Sequence, residues 1–322
     1  MQKKILVIAL CLSAALLSAI AIKQDFFKQT PINESPYWPS PGFPLHVDFL
    51  ESMGPRKLVF NVQSPDDKEW YSFFHKLYDK NQLPNVRVSA KPLIPKIIHQ
   101  IWLGGNPPAY LPAFQKTWQK FHPDWEYKLW RDDDVKHMKI HNQELFDAAV
   151  NYGQKADIFR YHILYEIGGL YADCDFRCLQ KFDILHHCYD FYSGLNNCGN
   201  IEIANGLIGA RPKHPILKQC IEKLAASTDT LKQLSKDDPE YLKKAFGLVI
   251  SQTGPGFFTK SFMDVARTYD GPIIVLPCSF FYPLPNTHRN LTIQESEKYI
   301  KPESFAIHYW ACSWMRPDAF IK

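Results

Sequence analysis

The sequence predicts an α/β fold with a mainly parallel sheet that begins near residue 93. Short apolar runs alternate with helical patterns along the chain, as in folds whose parallel strands are joined by helices. The apolar run at 96–103 ends at Gly104-Gly105, and a second strand, at 170–172, follows a helix that Gly168-Gly169 stops. Open α/β sheets bind ligands at the carboxyl ends of strands, so we expect the functional site just after residues 103 and 172.

The remaining elements continue the same alternation. Apolar residues three and four positions apart predict helices, and short runs of β-branched and aromatic residues predict strands. We expect helices at 111–121, 142–152, 154–167 and 215–226, strands at 125–130 and 305–310, and a strand or hairpin at 201–210. Pro255, just after Thr253-Gly254, predicts the first turn of another helix, and the charged run 232–244 predicts a solvated helical face.

The N-terminal 92 residues predict two further regions. Lys3 and Lys4 precede an apolar run at 5–22, whose length is near the lower limit for a membrane-spanning helix. Ala19-Ile20-Ala21 also fits the cleavage signature of a secretory signal peptide, so residues 1–23 are a signal anchor or a signal peptide. Residues 24–92, rich in proline and aromatic residues, predict a stem or linker with a helix near Pro65, and the main domain then spans 93–322.

Composition and cysteine spacing exclude two classes of partner. The chain has 322 residues, a net charge of +4 and no long basic run, so we expect no nucleic-acid partner. The absence of a C-x-x-C motif argues against a structural zinc site. Without Cys11, seven of the eight cysteines remain, so at least one thiol stays free or pairs with another molecule. His186-His187-Cys188 predicts a surface turn.

The strand at 170–172 continues into Asp173-Cys174-Asp175. Residues i and i+2 of extended backbone project to the same side, so Asp173 and Asp175 direct two carboxylates to one point and Cys174 points away. Two hard oxygen ligands suit Mg²⁺ or Mn²⁺, which usually completes its coordination with water and substrate phosphates. The alternative is an exposed acidic turn, because aspartate is common in turns.

Two other groups of charged residues could take part in binding or have a structural role. Asp157 and Arg160 lie three residues apart on the helix before this strand and share one face. They form either an ordinary ion pair of about 0.3 kcal/mol or part of a phosphate site, since a planar guanidinium suits phosphate. The acidic run at 132–134 is a second D-x-D motif after a strand, and its position predicts a helix N-terminal cap rather than a metal site.

The block ADIFRY at 156–161 with GGLYADCD at 168–175 resembles the sugar-binding DXD region of glycosyltransferase family 32. This family includes the yeast initiating α-1,6-mannosyltransferase and the mannosyltransferases that act on inositol phosphorylceramide, and a similar block occurs in the large clostridial glucosylating toxins. The resemblance continues upstream at 94–102 and downstream at His308…Trp314, and covers about residues 93–316.

The resemblance implies the GT-A nucleotide-sugar-binding fold and a role for each matching residue. The implied donor-binding residues are Trp102, Asp157, Arg160, Tyr171, Asp173, Asn205 and Trp314. The implied metal ligands are Asp173, Asp175 and His308, and the implied catalytic residues are Asp157, Arg160, Asp173 and Asp175. Trp102 would stack on the base, Trp314 would lie over the donor, and the turn at 253–256 would shape the acceptor side. The residues alone leave structural roles open for Trp102, as a core anchor, and for His308, as a hydrogen-bonded strand residue.

The function implied by the resemblance is Mn²⁺- or Mg²⁺-dependent sugar transfer. A hexose, with mannose as first choice, would pass from a GDP- or UDP-linked donor to a hydroxyl of a lipid or glycan acceptor, with retention of configuration. Single-pass relatives favour a retained membrane anchor, in a Golgi-type lumen or a bacterial envelope, and cleavage would give a secreted protein. Two alternatives stay open. One is a D-x-D phosphohydrolase, which would need a small hydroxylated residue where Phe176-Arg177 stands. The other is a non-catalytic carbohydrate-binding protein.

Overall fold

A computed structural model describes residues 32–53, 65–149, 151–226, 241–315 and 319. Its strands are β1 (Ile97–Ile101), β2 (Glu126–Trp130), β3 (Gly169–Ala172), β4 (Phe176–Cys178), β5 (Phe191–Leu195), β6 (Ile203–Ala210), β7 (Ile273–Leu276) and β8 (Ala306–His308). Six of them form one sheet in the order β2-β1-β3-β6-β5-β7. Within this sheet β6 runs antiparallel to both of its neighbours and the other pairs are parallel, so the prediction of an α/β fold with a mainly parallel sheet is confirmed.

Helices cover the sheet and follow most of the predicted pattern. They are α1 (Phe49–Ser52), α2 (Pro65–Asn81), α3 (Leu111–Phe121), α4 (Asp132–Lys136), α5 (Gln143–Ala148), α6 (Tyr152–Glu166), α7 (Asp183–Cys188), α8 (Pro215–Ala226), α9 (Tyr241–Gln252), α10 (Pro255–Ala266) and α11 (Ile293–Ser296). The predicted charged helical face falls mostly on 227–240, outside the described residues.

The prediction of a single helix at 142–152 is wrong, because two separate helices, α5 and α6, share this part of the chain. α5 ends before Ala149, whose backbone is extended (ψ 131°). The side chain of Asn151 then accepts a hydrogen bond from the backbone N–H of Gly153 at 2.7 Å, which caps a new helix. α6 therefore starts two residues earlier than the prediction.

The described part of the predicted stem packs on the main domain. Phe49 of α1 and Phe74 and Tyr78 of α2 are buried in the same apolar core as the sheet. Asn81, the last residue of α2, donates from its side chain to the carbonyl of Ile273 in β7 at 2.8 Å. The predicted apolar segment at 5–22 lies outside the described residues, and none of the described helices is long and apolar enough to cross a membrane.

The prediction of a surface turn at His186-His187-Cys188 is wrong. These residues form the last turn of α7 and are buried. The two ring nitrogens of His186 lie 3.1 Å from the carbonyl oxygen of Ile94 and 2.9 Å from the hydroxyl of Tyr192. Burial, the largest cause, lowers the pKa of His186 well below its ordinary value. All three residues are therefore buried in the core, and the two histidine side chains have hydrogen-bond partners within the protein.

A second, two-stranded sheet determines the site. β4 and β8 pair in antiparallel fashion, with Phe176 opposite His308. β4 begins directly after Asp175, so this register carries His308 to the end of the central strand β3. The backbone N–H of Tyr309 also donates to the carbonyl of Asp175 at 3.1 Å.

Candidate active site

A cleft of about 470 Å³ opens where β1 and β3 end, which is the edge that the sequence predicts for the site. Its walls come from the turn after β1, the first half of α6, the segment after β3, the start of β6, the α9–α10 junction and the C-terminal segment. Every predicted site residue lines it: Trp102, Asp157, Arg160, Tyr171, Asp173, Asp175, Asn205, His308 and Trp314. The fold thus brings the whole predicted set together in one cavity.

Asp173, Asp175 and His308 converge on one point of the cleft. One ligand atom from each lies within 4.8 Å of the other two. The Nε2 atom of His308 is 2.9 Å from Oδ1 of Asp175 and 3.8 Å from Oδ2 of Asp173. Between the two aspartates, the thiol of Cys174 points away and donates to the carbonyl of Ile101 at 3.3 Å. The alternation that extended backbone predicts is therefore present.

The chemistry of this cluster suits a divalent cation. Two carboxylates and one imidazole are ligands that Mn²⁺ accepts, and the carboxylates also suit Mg²⁺. Burial raises the pKa of Asp173, and the nearby charge of Asp175 adds to the increase although Arg160 opposes it. Burial acts in the same sense on Asp175, but the His308 imidazole and the N–H of Ala311 hold the pKa of Asp175 below its ordinary value. Two carboxylates this close repel one another, and a bound cation would relieve that repulsion.

Asp157 and Arg160 form a buried network behind the cluster. The Nη2 atom of Arg160 lies 3.0 Å from Oδ1 of Asp157 and 3.4 Å from Oδ1 of Asp173, so the guanidinium joins the two carboxylates. The Cζ atom of Arg160 also lies 4.4 Å from the ring centroid of Tyr171. The hydroxyl of Tyr171 donates to Asp173 at 2.6 Å. Arg160 therefore holds Asp173 through an ion pair and through Tyr171.

Asp157 is held from two further sides. Thr253 donates from its hydroxyl to Oδ2 of Asp157 at 2.8 Å, and the amide of Asn205 donates to Oδ1 at 2.9 Å. Burial raises the pKa of Asp157 to about 7, although Arg160 and both hydrogen-bond donors act in the opposite direction. The amide of Asn205, which the resemblance places beside the donor sugar, is thus directed toward Asp157.

An irregularity in β6 places Asn205 and Gly206 in the site. Ser193 of β5 pairs with Ile208, but the next residue, Gly194, pairs with Ala204, so three residues of β6 are left over. Such bulges redirect a strand locally and are frequent beside functional sites. The extra backbone reaches the site residues directly: Arg160 donates to the carbonyl of Asn205 at 2.6 Å, and Asp173 donates from its N–H to the carbonyl of Gly206 at 2.8 Å.

Two tryptophans border the cleft. Trp102 is half-buried, and its indole N–H is enclosed without a hydrogen-bond partner among the residues that the structure describes. Trp314 packs on Gly153 at the start of α6, where a Cβ atom would lie 2.5 Å from that of Trp314. Asn151 fixes the same segment by donating to the carbonyl of Trp314 at 2.8 Å. Both indoles line the cleft, and aromatic rings suit a flat or cyclic ligand.

The acidic run at 132–134 is a helix cap, as the sequence predicts. The carboxylate of Asp134 accepts from the backbone N–H of Arg131 at 2.9 Å and pairs with Lys128 at 2.6 Å. Asp132 accepts from the backbone N–H of Gly104 at 3.1 Å, and Asp133 pairs with Lys136 at 2.8 Å. Each carboxylate has its own partner near the surface, and the three do not share a point in the cleft.

Three residues of the site were not singled out from the sequence. The turn at 253–256 was expected on the acceptor side, but the bond from Thr253 to Asp157 has no local signature. Tyr282 and Glu202 line the cleft, and neither belongs to a recognisable motif. The hydroxyl of Tyr282 would lie 3.3 Å from a Cβ atom at Gly206, beside Asp173. Only the folded arrangement reveals these side chains as parts of the site.

Comparison with known families places this site in context. Residues 108–192 match the family described as the glycosyltransferase sugar-binding region containing a DXD motif. The matched segment runs from just before α3 through β5, and it contains Asp157, Arg160, Asp173 and Asp175. The resemblance to the DXD family that the sequence suggests is confirmed.

Curated relatives include enzymes of a fission yeast. The chain is 34% identical over 238 residues to inositol phosphoceramide mannosyltransferase 2 of Schizosaccharomyces pombe, an alignment that covers 73% of this chain and 62% of that protein. It is 31% identical over 235 residues to inositol phosphoceramide mannosyltransferase 1 of the same yeast, covering 71% of this chain and 64% of the relative. The chain therefore spans less than two thirds of the length of these relatives.

Among solved structures, the PaToxG glycosyltransferase aligns with 62% of this chain and 78% of its own, at 17% identity and a TM-score of 0.44. The catalytic domain of the Clostridium novyi α-toxin aligns with 83% of this chain and 89% of its own, at 10% identity and a TM-score of 0.42.

Proposed function

The chain carries a glycosyltransferase sugar-binding region containing a DXD motif and is related to the mannosyltransferases of glycosyltransferase family 32, and from this premise we propose that it is a metal-dependent hexosyltransferase with a GT-A-like fold. The donor is a GDP- or UDP-linked hexose, with mannose as the first choice. The acceptor is a hydroxyl of a lipid or glycan, and the anomeric configuration is retained.

One observation carries the proposal. Asp173, Asp175 and His308 meet in the same cleft as the half-buried indole of Trp102. A cation held by few protein ligands completes its coordination with substrate phosphates, and an indole that lines a cleft suits a nucleobase. A nucleoside diphosphate sugar contains both groups, so a single ligand satisfies both parts of the cleft.

The residues of the chain divide the work of binding and orientation. Asp173, Asp175 and His308 would hold Mn²⁺ or Mg²⁺, which when bound neutralises the charge that builds up on the departing diphosphate. Arg160 and Tyr171 fix the Asp173 carboxylate from behind. Trp102 supports the base, and Trp314 shields the donor from water at the opposite border.

The transfer itself needs no basic side chain. The acceptor oxygen forms a bond to the anomeric carbon, the bond from that carbon to the diphosphate oxygen breaks, and its electron pair leaves with the diphosphate. In a transfer with retention, the hydroxyl proton passes to an oxygen of the departing phosphate. The protein then contributes position and charge, and these two effects supply much of the rate enhancement of enzymes in general.

A screen of donors tests the proposal. Purified protein is incubated with GDP-mannose, UDP-glucose or UDP-galactose in the presence of Mn²⁺, and sugar release is measured with and without EDTA. We expect release from one donor class, its loss on chelation, and a loss of about 1,000-fold in Asp175→Asn, because removal of one transition-state charge partner has effects of this size.

Three outcomes would overturn the proposal. Release of phosphate from simple monoesters would favour a phosphohydrolase, although the buried Phe176 stands where such enzymes need a small hydroxylated residue. Sugar binding without any turnover would favour a non-catalytic protein. Release that survives both EDTA and Asp175→Asn would remove the metal from the mechanism.

We also propose that the apolar segment at 5–22 attaches the protein to a membrane. The support is its composition and the lysines that precede it. Fractionation of cells that express the full chain and a chain lacking residues 1–23 tests this: the full chain is expected in the membrane fraction and resistant to salt extraction, and the shortened chain in the soluble fraction. Recovery of the full chain in the soluble fraction would contradict it.

A further inference from the structure

A carboxylate outside the metal cluster also lines the cleft. Glu202 lies one residue before β6, in the loop that connects this strand to β5, and its neighbours Asn196, Cys198 and Asn200 line the same cavity. Glu202 is half-buried, and burial, the largest cause, raises the pKa of its carboxyl. Among the residues described, no lysine or arginine nitrogen lies within ion-pair distance of it; the charges that face it are those of Asp67 and Lys260.

Glu202 and Asn200 each carry hydrogen-bond acceptor oxygens. Asn200 donates to the Glu202 carboxylate from its amide. The amide oxygen of Asn200 is enclosed, and within the described ranges it has no hydrogen-bond partner. A carboxylate next to an unpaired carbonyl oxygen repels phosphate and attracts hydroxyl groups, which are hydrogen-bond donors. A sugar or polyol with hydroxyls on adjacent carbon atoms offers two such donors.

The loop is held rigidly and close to the metal cluster. Asn196 donates from its N–H to the carbonyl of Glu202 at 2.9 Å, and Ile203 donates to the hydroxyl of Thr259 in α10 at 2.9 Å. Gly206, where a Cβ atom would lie 2.6 Å from the Asp173 carboxylate, follows Glu202 by four positions. Four residues of chain span at most about 14 Å, which is the scale of a donor hexose and the acceptor hydroxyl that attacks it.

We propose that Asn200 and Glu202 form the acceptor subsite, where the Glu202 carboxylate and the Asn200 amide oxygen accept hydrogen bonds from two hydroxyls of a sugar or polyol head group. This inference rests on the proposed function, because it assigns the second substrate of the same cleft. Glu202 is a positioning residue in this scheme: it orients the acceptor, and the proton balance of the transfer is unchanged.

Binding and kinetics together test the subsite. The binding of methyl α-mannoside and of myo-inositol to the full protein with GDP and Mg²⁺ is followed by NMR titration. We expect Glu202→Gln to weaken binding of at least one probe by about 10- to 100-fold, because a charge-assisted hydrogen bond becomes a neutral one. Glu202→Asp should recover part of that loss. The Kd of GDP with Mg²⁺ and the Tm should stay at the wild-type values.

In transfer assays, Glu202→Gln should raise the acceptor KM by a similar factor and leave the donor KM unchanged. Glu126→Gln, at an exposed glutamate on β2 outside the cleft, is the matched control and should behave as wild type. Failure of both probes to bind the wild type, equal binding by Glu202→Gln, or an equal loss of GDP affinity would overturn the subsite. Absence of sugar release from every donor would overturn the proposed function instead, since probe binding is measured without turnover.

Discussion

Two D-x-D runs follow the two strands of this sheet that lie on either side of β1, and they have opposite fates. Asp132, Asp133 and Asp134 follow β2 and form separate pairs with nearby backbone groups and lysines at the surface. Asp173 and Asp175 follow β3, line the cleft, and converge with His308. The same local motif at equivalent ends of nearby strands is a helix cap in one case and a candidate metal site in the other.

The difference shows what a D-x-D motif needs in order to bind a cation. Lysines are within reach of the first run, so its charges are already compensated. The second run has no lysine partner in the described structure; its charges are compensated in part by Arg160 and His308, which leaves two carboxylates facing one cavity. Burial and a third ligand from a distant strand, rather than the motif itself, separate the two sites.

The strongest test of this comparison is the loss of a ligand. Asp175→Asn should weaken Mn²⁺ binding by at least about 100-fold, because changes even to groups that only support a metal ligand cost 10- to 100-fold. Asp133→Asn, in the surface run, should leave the Mn²⁺ affinity unchanged. Isothermal titration of both variants with Mn²⁺ measures this, and equal affinities would show that the cluster at β3 is not the cation site.

The ion pairs of the two regions should differ in their contribution to stability. The Arg160 and Asp157 side chains are 6% and 7% exposed, whereas those of Lys128 and Asp134 are 37% and 29% exposed. Arg160→Met leaves the buried Asp157 carboxylate without its cationic partner and should lower the free energy of unfolding by about 3–5 kcal/mol. Lys128→Met should cost about 0–1 kcal/mol. Urea unfolding of both variants measures the two losses in unfolding free energy, and losses of similar size would contradict the argument from burial.

The two regions should also respond to pH in opposite directions. Because burial raises the pKa of Asp157 from 3.8 to about 7, the folded state binds this proton more tightly than the unfolded state. The contribution of Asp157 to stability therefore falls as the pH rises from about 4 to about 7, by at most about 4 kcal/mol. Asp134, whose pKa is lowered mainly by Lys128, contributes above its unfolded pKa and loses that contribution as the pH falls.

Urea unfolding of wild type and Asp157→Asn between pH 4 and pH 8, in EDTA, measures the first effect. The stability of the wild type relative to Asp157→Asn should decrease across this range, since asparagine does not titrate. A difference that is constant with pH, or that grows with pH, would show that the carboxylate is ionised throughout in the folded protein.

The smallest expected effect is the loss of the surface cap. Asp134→Ala removes the bond to the Arg131 N–H and the pair with Lys128, and should cost about 1 kcal/mol of unfolding free energy. The Mn²⁺ affinity and the sugar release should stay at wild-type values. A large loss of activity in this variant would mean that α4 supports the cleft, through Asp132 and the turn at Gly104.

Much of the fold was predictable because the signals are local. Apolar spacing indicated β1, β2, β3, α3 and α6, and the alternation of strand residues placed Asp173 and Asp175 on one side. The break between α5 and α6 was not predictable from spacing, since it depends on the Asn151 side chain capping the second helix. The burial of His186 was missed for a similar reason: its hydrogen-bond partners, Ile94 and Tyr192, lie on other elements.

The site divides in the same way. The two aspartates lie within three residues, so the sequence predicts their convergence. His308 is 133 residues from Asp175, and only the register of β8 on β4 joins them, which no local pattern encodes; the resemblance alone indicated it. The contact of Thr253 with Asp157 and the place of Glu202 in the cleft were not predicted, because both arise only when α10 and β6 have packed against α6 and the cleft.

The pairing of β8 with β4 has a consequence for synthesis. On the ribosome, a nascent chain carries Asp173 and Asp175 for more than a hundred residues before His308 and Ala311 emerge to meet them. The metal cluster is completed only after residue 308 has been translated and its strand has docked. A cation bound there would then stabilise the docked β8 by mass action. A chain that ends or is cleaved before β8 would therefore lose both the metal site and the contact between β8 and β4.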